Sequence, residues 1–130
     1  MRPHVPYAAR EGAHLRVLAR TAQVLANAHS RDELYGGLAR IIEDDLGGAG
    51  CSIYEADADK RSARLAFQSG TGKVIPEIAA GQFWITRLGH IVDTGQPLFV
   101  NDISANSNEP ELLLNEPLRR EGIRSIASLP

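Results

Sequence analysis

Apolar positions along residues 11–28 recur every three or four residues. Leu15, Leu18, Ala19, Ala22, Leu25 and Ala26 line one face, and Arg16, Arg20, Gln23 and Asn27 line the other. That spacing predicts an amphipathic helix. The apolar stripe is narrow, which suits a helix that pairs with a second helix as well as one lying on its own domain. Ser30-Arg31-Asp32-Glu33 then has the form of a capping box. The Ser30 hydroxyl can accept from the Glu33 amide while the Glu33 side chain reaches back to the Ser30 amide, so a new helix is expected from Arg31. Leu34, Leu38, Ile41, Ile42 and Leu46 are its expected buried face. Gly36 and Gly37 weaken it by about 1 kcal/mol each relative to alanine, and would let a neighbouring backbone come close. Gly47-Gly48 ends it.

The period then changes from helical to alternating. Cys51-Ser52-Ile53-Tyr54-Glu55-Ala56 puts Cys51, Ile53 and Glu55 on one side of a strand and Ser52 and Tyr54 on the other, as in a strand with one buried face. A polar connection over residues 57–62 leads to a returning strand over 64–69, closed by Gly70. Residues 71–76 read as loop. A helix follows, with Ile85, Leu88, Ile91 and Val92 on one face and Trp84 beside them; Thr94-Gly95-Gln96-Pro97 stops it. Leu98-Phe99-Val100 reads as a short strand, residues 104–108 as turns, 109–114 and 117–121 as two short helical turns with proline near the start of each, and 123–129 as a last alternating strand. The resulting order is helix, helix, strand, strand, helix, strand, short helices, strand. It predicts an α+β architecture and not a doubly wound sheet.

The 130 residues suffice for one core. A net charge of −2 without a basic cluster gives no electrostatic reason to expect nucleic acid or an anionic membrane. The single cysteine, Cys51, can form neither an internal disulfide nor a thiolate metal cluster. No apolar run is long enough to span a bilayer, and the first residues lack the apolar stretch of a secretory signal. A cytoplasmic location is the expectation.

Four stretches carry a family resemblance. They are Ser30-Arg31-Asp32-Glu33-Leu34-Tyr35, then Gly50-Cys51-Ser52-Ile53-Tyr54, then Asp93-Thr94-Gly95-Gln96-Pro97-Leu98-Phe99-Val100-Asn101-Asp102-Ile103, and last Arg120-Glu121-Gly122-Ile123-Arg124-Ser125-Ile126-Ala127-Ser128-Leu129-Pro130. In that order they resemble the GAF family of small-molecule-binding regulatory domains. The resemblance implies a GAF/PAS-like antiparallel sheet flanked by helices. It further implies that the final strands and closing helix follow the last of these segments, so a fragment, or pairing or swapping through an open sheet edge, is expected. The organisation expected is a tail over 1–10, an amphipathic signalling or dimerisation helix over 11–29, and a sensory domain over 30–130. This reading treats segments 51–69 and 97–129 as edges of one common sheet, capped by helices over a cavity.

The resemblance places a ligand pocket between the sheet and segments 71–95 and 103–122. Its candidate lining is Ile53, Phe67, Trp84, Ile85, Leu88, Val100, Asp102 and Ser125, though each also suits plain core. The family's cyclic-nucleotide pattern is not visible, the chromophore-attachment cysteine of its bilin-binding members has no counterpart, and one cysteine cannot form the catalytic disulfide of its methionine-sulfoxide reductases. Cys51 is best read as an inert strand residue, with no cation or helix start nearby in sequence to lower its pKa. His4, His14, His29 and His90 lack metal-ligand spacing; His90 sits in the helix expected to cover the pocket. Asp44-Asp45 and Asp57/Asp59 fall at a helix end and in a turn, where they are solvated. Gly70-Thr71-Gly72-Lys73 lacks the upstream glycine of a phosphate-binding loop. No catalytic centre emerges.

The expected function is a sensory input domain of a bacterial signal-transduction protein, such as a two-component histidine kinase or a cyclic-dinucleotide enzyme. It would bind an unidentified small molecule and relay the signal through the N-terminal helix, as a homodimer; the sequence names no cofactor. The alternatives are a ligand-free dimerisation module and a thiol-dependent reductase.

Overall fold

A computed structural model describes residues 7–75, 78–103 and 109–130. The chain divides into two compact units, one ending at Gly48 and the next beginning at Ala49. The first unit holds α1 (Tyr7–Asn27) and α2 (Arg31–Arg40), with α2 continuing into a π turn (Ile41–Asp45). The helix α1 takes in residues 7–10, placed in a tail by the sequence reading.

The α1–α2 contact does not use the apolar stripe read from sequence. Leu15, Leu18 and Leu25 stay 66, 65 and 61% exposed. Val17, Thr21, Val24 and Ala28 are the half-buried positions instead. Gly37 faces Val24: a Cβ on Gly37 would stand 2.7 Å from Val24 Cγ1. Close approach is thus required, but by a side chain rather than a backbone. Ser30 caps α2 as expected, accepting from the Glu33 amide at 3.1 Å. The return arm lands one residue earlier, Glu33 accepting from the His29 amide at 2.8 Å. Leu46, expected on the buried face, is 61% exposed. The π turn explains this: Leu46 N–H donates to Ile41 O, five residues back, at 3.1 Å. The wider turn rotates Leu46 off the row that buries Ile41.

The second unit opens with the hairpin β1 (Gly50–Asp57) and β2 (Ser62–Gly70), paired antiparallel. Its four-residue connection is organised by Asp57, whose carboxylate accepts from the Asp59 and Lys60 amides at 3.0 and 3.2 Å. This is how an aspartate supplies a turn without an Asn-Gly pair. Register shifts between Ile53 and Tyr54, leaving Ala66 as the extra residue of a bulge. The face bearing Ser52 and Gln68 reaches a tight turn over Thr71–Val74, both side chains donating to Gly72 O.

The helix expected through Trp84 and Ile85 is broken in two, α3 (Ala80–Ile85) and α4 (Arg87–Thr94). Thr86 is extended between them, at φ −93° and ψ 176°. Its hydroxyl donates to Phe83 O at 2.8 Å and accepts from the Leu88 amide at 3.2 Å. That hydroxyl closes one helix and caps the next. The break changes which side chains point inward: Phe83 is 2% exposed and Ile85 64%. Gly95 ends α4 in the left-handed region at φ 67°, as glycine does at no steric cost.

Strand β3 (Leu98–Val100) pairs antiparallel with β4 (Ile126–Ser128), joined by α5 (Glu109–Arg120). Residues 104–108, expected as turns, lie outside the described residues. The two short turns expected around Pro117 are one helix. Pro117 removes one amide from its interior, but Leu114 (1% exposed) and Leu118 (6%) form one buried row that runs past it. Packing of that row outweighs the local break. The last strand is shorter than the alternation over 123–129 suggests.

Among the described residues the strands do not form the single sheet expected from sequence. The strands form two two-stranded sheets, β1–β2 and β3–β4. A ladder crosses from one pair to the other only through strands spaced about 4.8 Å apart. Among the described residues none lies between these pairs. The α+β class is as expected.

Candidate functional site

The core of the second unit centres on Ile78, Phe83 and Leu114, with Tyr54, Ala63, Ile75, Trp84, Leu88 and Val92 packed around them. Tyr54 comes from β1, Phe83 and Trp84 from α3. The Tyr54 and Phe83 rings meet at 5.4 Å between centroids, and Phe83 meets Trp84 nearly edge-on at 5.3 Å. Both spacings lie in the range where aromatic pairs attract beyond simple burial.

Polar atoms converge on this cluster. Arg87, the first residue of α4, keeps its side chain only 9% exposed, beside Glu111 at 17%. Glu111 Oε2 accepts from Arg87 Nη1 at 2.6 Å, and Oε1 accepts from the Arg87 main-chain amide at 2.7 Å. Asn115, itself 6% exposed, accepts from the same Nη1 at 2.6 Å through Oδ1. Burial pushes the Arg87 pKa down, and the Glu111 carboxylate opposes that push. Burial likewise pushes the Tyr54 hydroxyl up, with the Arg87 charge acting the other way.

Among the described residues, Tyr54 Oη, Trp84 Nε1 and Arg87 Nε are buried here with no hydrogen-bond partner. An unpaired buried polar group costs on the order of 1–3 kcal/mol. Three on one cluster call for an explanation, because most buried polar atoms in folded proteins are paired. Arg61, from the hairpin tip, lies over the Trp84 ring with Cζ 4.5 Å from its centroid. It also donates to both Asp93 oxygens, at 2.8 and 2.9 Å. An open depression of about 420 Å³ runs along the same hairpin, lined by Glu55, Ala56, Asp57, Ser62, Ala63 and Arg64.

The eight residues named from sequence are not gathered around one point. Trp84 and Leu88 join the aromatic cluster. Ile53 and Phe67 are register partners in the hairpin, on the face away from Tyr54, since neighbouring strand residues point to opposite sides. Ile85 is exposed. Val100 is half-buried in β3, Ser125 is exposed just before β4, and Asp102 is half-buried with a long 3.9 Å ion pair to Arg124. Cys51 is half-buried, its Sγ 3.4 Å from Ser69 Oγ across the hairpin. His90 is exposed on α4. Among the described residues no group of three or more His, Cys, Asp or Glu could hold a metal ion, and no helix is long and apolar enough to cross a membrane.

Tyr54, Arg87, Glu111 and Asn115 escape the sequence reading. No sequence signal marks Arg87, because Thr86 reads as the middle of one continuous helix and only the folded chain breaks it there.

A family model for the GAF domain matches residues 30–130. The chain belongs to the GAF domain family. Membership rests on that match and not on a shared sheet, so the separation of the two strand pairs leaves it standing. GAF domains are small-molecule-binding sensory or regulatory domains, and the orphaned donors of this GAF domain come from β1, α3 and α4. Comparison with the curated proteins and with the solved structures finds no match.

Proposed function

We propose that this GAF domain is the sensory input of a bacterial signal-transduction protein, either a two-component histidine kinase or a cyclic-dinucleotide enzyme. A small molecule binds against the Tyr54–Phe83–Trp84 cluster, and α1 carries the resulting shift to a partner. Of the residues expected to line the pocket, Trp84 and Leu88 belong to this site in our reading. The observation that carries it is the trio of buried, unpartnered atoms Tyr54 Oη, Trp84 Nε1 and Arg87 Nε. A ligand shifts such a domain only by binding one packing better than another.

A thermal-shift screen of metabolites, nucleotides and haem tests the reading. A saturable rise in Tm that weakens in Trp84→Phe, which keeps the ring face and loses the indole N–H, supports it. No stabilisation by any compound overturns it. The domain binds and does not catalyse in this reading. The thiol-reductase alternative rests on Cys51, and reductase activity retained in Cys51→Ser removes it.

A second reading has its own observation. Leu15, Leu18 and Leu25 leave an apolar stripe exposed on α1. A homodimer joined through that stripe needs no ligand, and solution mass with and without residues 1–29 separates the two readings.

A further inference from the structure

The carboxylate of Glu111 occupies a place suited to a ligand. It accepts from the first amide of the eight-residue α4 at 2.7 Å and from the guanidinium of the same residue at 2.6 Å. A helix start with a cation beside it is a ready anion site. Yet Glu111 fills it incompletely. A guanidinium holds a carboxylate best through two parallel N–H bonds. Here Nη1 serves both Glu111 and Asn115. Among the described residues the buried Nε has no acceptor, and Tyr54 Oη and Trp84 Nε1 are likewise unpaired.

We propose that Glu111 is a built-in stand-in for an anionic ligand, and that a small carboxylate-bearing molecule displaces it from Arg87 and so releases α5. The ligand's carboxylate takes Nε together with an Nη of Arg87, and its body lies against the aromatic cluster. This rests on the small-molecule reading above and adds the ligand's charge class and the element that moves. One carboxylate enters as another leaves, so the guanidinium is never left buried without a counter-charge, the costly alternative. The incoming carboxylate satisfies a donor that Glu111 leaves orphaned, which supplies the difference in affinity that a population shift requires. Release of Glu111 loosens the helix that holds Leu114 and Leu118 in the core and leads directly to β4.

The full chain contains one tryptophan, so its indole N–H gives a single resonance that reports on the site. Benzoate and its neutral isostere benzamide are titrated into the wild type, Glu111→Gln and Arg87→Gln. Benzoate is expected to shift the Trp84 resonance saturably, with benzamide weaker by about tenfold or more, the worth of a charge-assisted bond over a neutral one. Glu111→Gln tightens benzoate by about tenfold or more, since the internal competitor loses its charge. Arg87→Gln abolishes the response. Glu111→Gln also leaves Arg87 without its counter-charge and lowers Tm. Benzoate then restores Tm and benzamide does not, so a poorly folded variant still answers. Equal binding of benzoate and benzamide overturns the anion class while keeping a ligand site. Benzoate affinity unchanged by Glu111→Gln overturns displacement. Silence towards benzoate in every variant, with no recovery of Tm, overturns the inference and leaves the broader reading to its own compound screen.

Discussion

The guanidinium of Arg61 lies 4.5 Å over the ring of Trp84, which ties the tip of the β1–β2 hairpin to the helix that carries the orphaned indole. Arg61 is also the residue other than glycine with positive φ among those described, at 49°. The backbone strain there is held by the cation–π contact and by the Asp93 ion pair. Both are partly exposed, the side chains of Arg61 and Asp93 being 58 and 43% accessible, so each contributes at most about 1 kcal/mol. Arg61→Ala loses both contacts and keeps the strain, and is expected to destabilise the domain by about 1 kcal/mol. Arg61→Gly relieves the strain and is expected to be less harmful by about 1 kcal/mol, the penalty a side chain meets in the left-handed region. Chemical denaturation of the two variants checks the order. Trp84 fluorescence should change in both, since the cation leaves the ring in both.

Gly36 and Gly37 are neighbours in α2 with opposite expected outcomes. A Cβ on Gly36 meets nothing within 4 Å. Gly36→Ala is therefore expected to stabilise by about 0.5–1 kcal/mol through helix propensity and a less flexible unfolded chain. A Cβ on Gly37 comes within 2.7 Å of Val24 Cγ1, and valine has one strongly preferred rotamer in a helix. Gly37→Ala is expected to cost about 1–3 kcal/mol by overpacking. Adding Val24→Ala should recover part of that loss, and a double-mutant cycle by urea denaturation measures the coupling. Additive behaviour of the two substitutions would rule out the contact.

Tyr54→Phe separates stability from binding. The hydroxyl is buried without a partner, so its removal should leave the ligand-free fold as stable or about 1 kcal/mol more stable. The ligand response should weaken. The pH dependence follows from the raised Tyr54 pKa, caused first by burial. Below the ordinary tyrosine value near 10, folded and unfolded states both keep the proton and stability is complete. Above it the unfolded state releases its proton first, so stability falls as pH rises towards the folded-state pKa. The difference between wild type and Tyr54→Phe should therefore widen in favour of the variant above about pH 10. A difference that stays flat up to alkaline unfolding contradicts the buried hydroxyl.

Signals that depend on near neighbours were legible in the sequence. The Ser30 cap, the glycine stop at Gly95, the hairpin and the short strand at Leu98 are all fixed within a few residues of chain. What the sequence hid was set by distant packing. Thr86 looks like an ordinary helix residue until Phe83 behind it must turn inward. Pro117 reads as a break until Leu114 and Leu118 are buried together. Arg87 and Glu111 look like surface charges, because a separation of 24 positions gives no hint that α5 returns to the start of α4. The expected pocket lining was drawn from apolar positions, and such positions cannot show which polar atoms the fold leaves unpaired. The common sheet failed for a related reason: alternation predicts strands but does not say which strands lie side by side.

The apolar stripe on α1 makes the last prediction. Leu15, Leu18 and Leu25 recur at helical spacing, yet they are 66, 65 and 61% exposed, while Val17, Thr21 and Val24 are half-buried and Val24 faces Gly37 of α2. One helix thus carries two apolar rows, one used within the chain and one left open. Burying a leucine contributes about 1.5–3 kcal/mol, and a symmetric helix pair buries each position twice. A dimer through this row should therefore lose at least about tenfold in affinity for each leucine replaced by glutamate. Sedimentation of the wild type across concentration is expected to show monomer passing to dimer. Leu18→Glu with Leu25→Glu is expected to stay monomeric with an unchanged helical circular-dichroism signal, because both side chains are mostly exposed, at 65 and 61%. Deleting residues 1–29 should give the same monomer. A wild type that remains monomeric at high concentration, or a dimer indifferent to both glutamates, would remove α1 as the dimer contact and leave the signal without its proposed route to a partner.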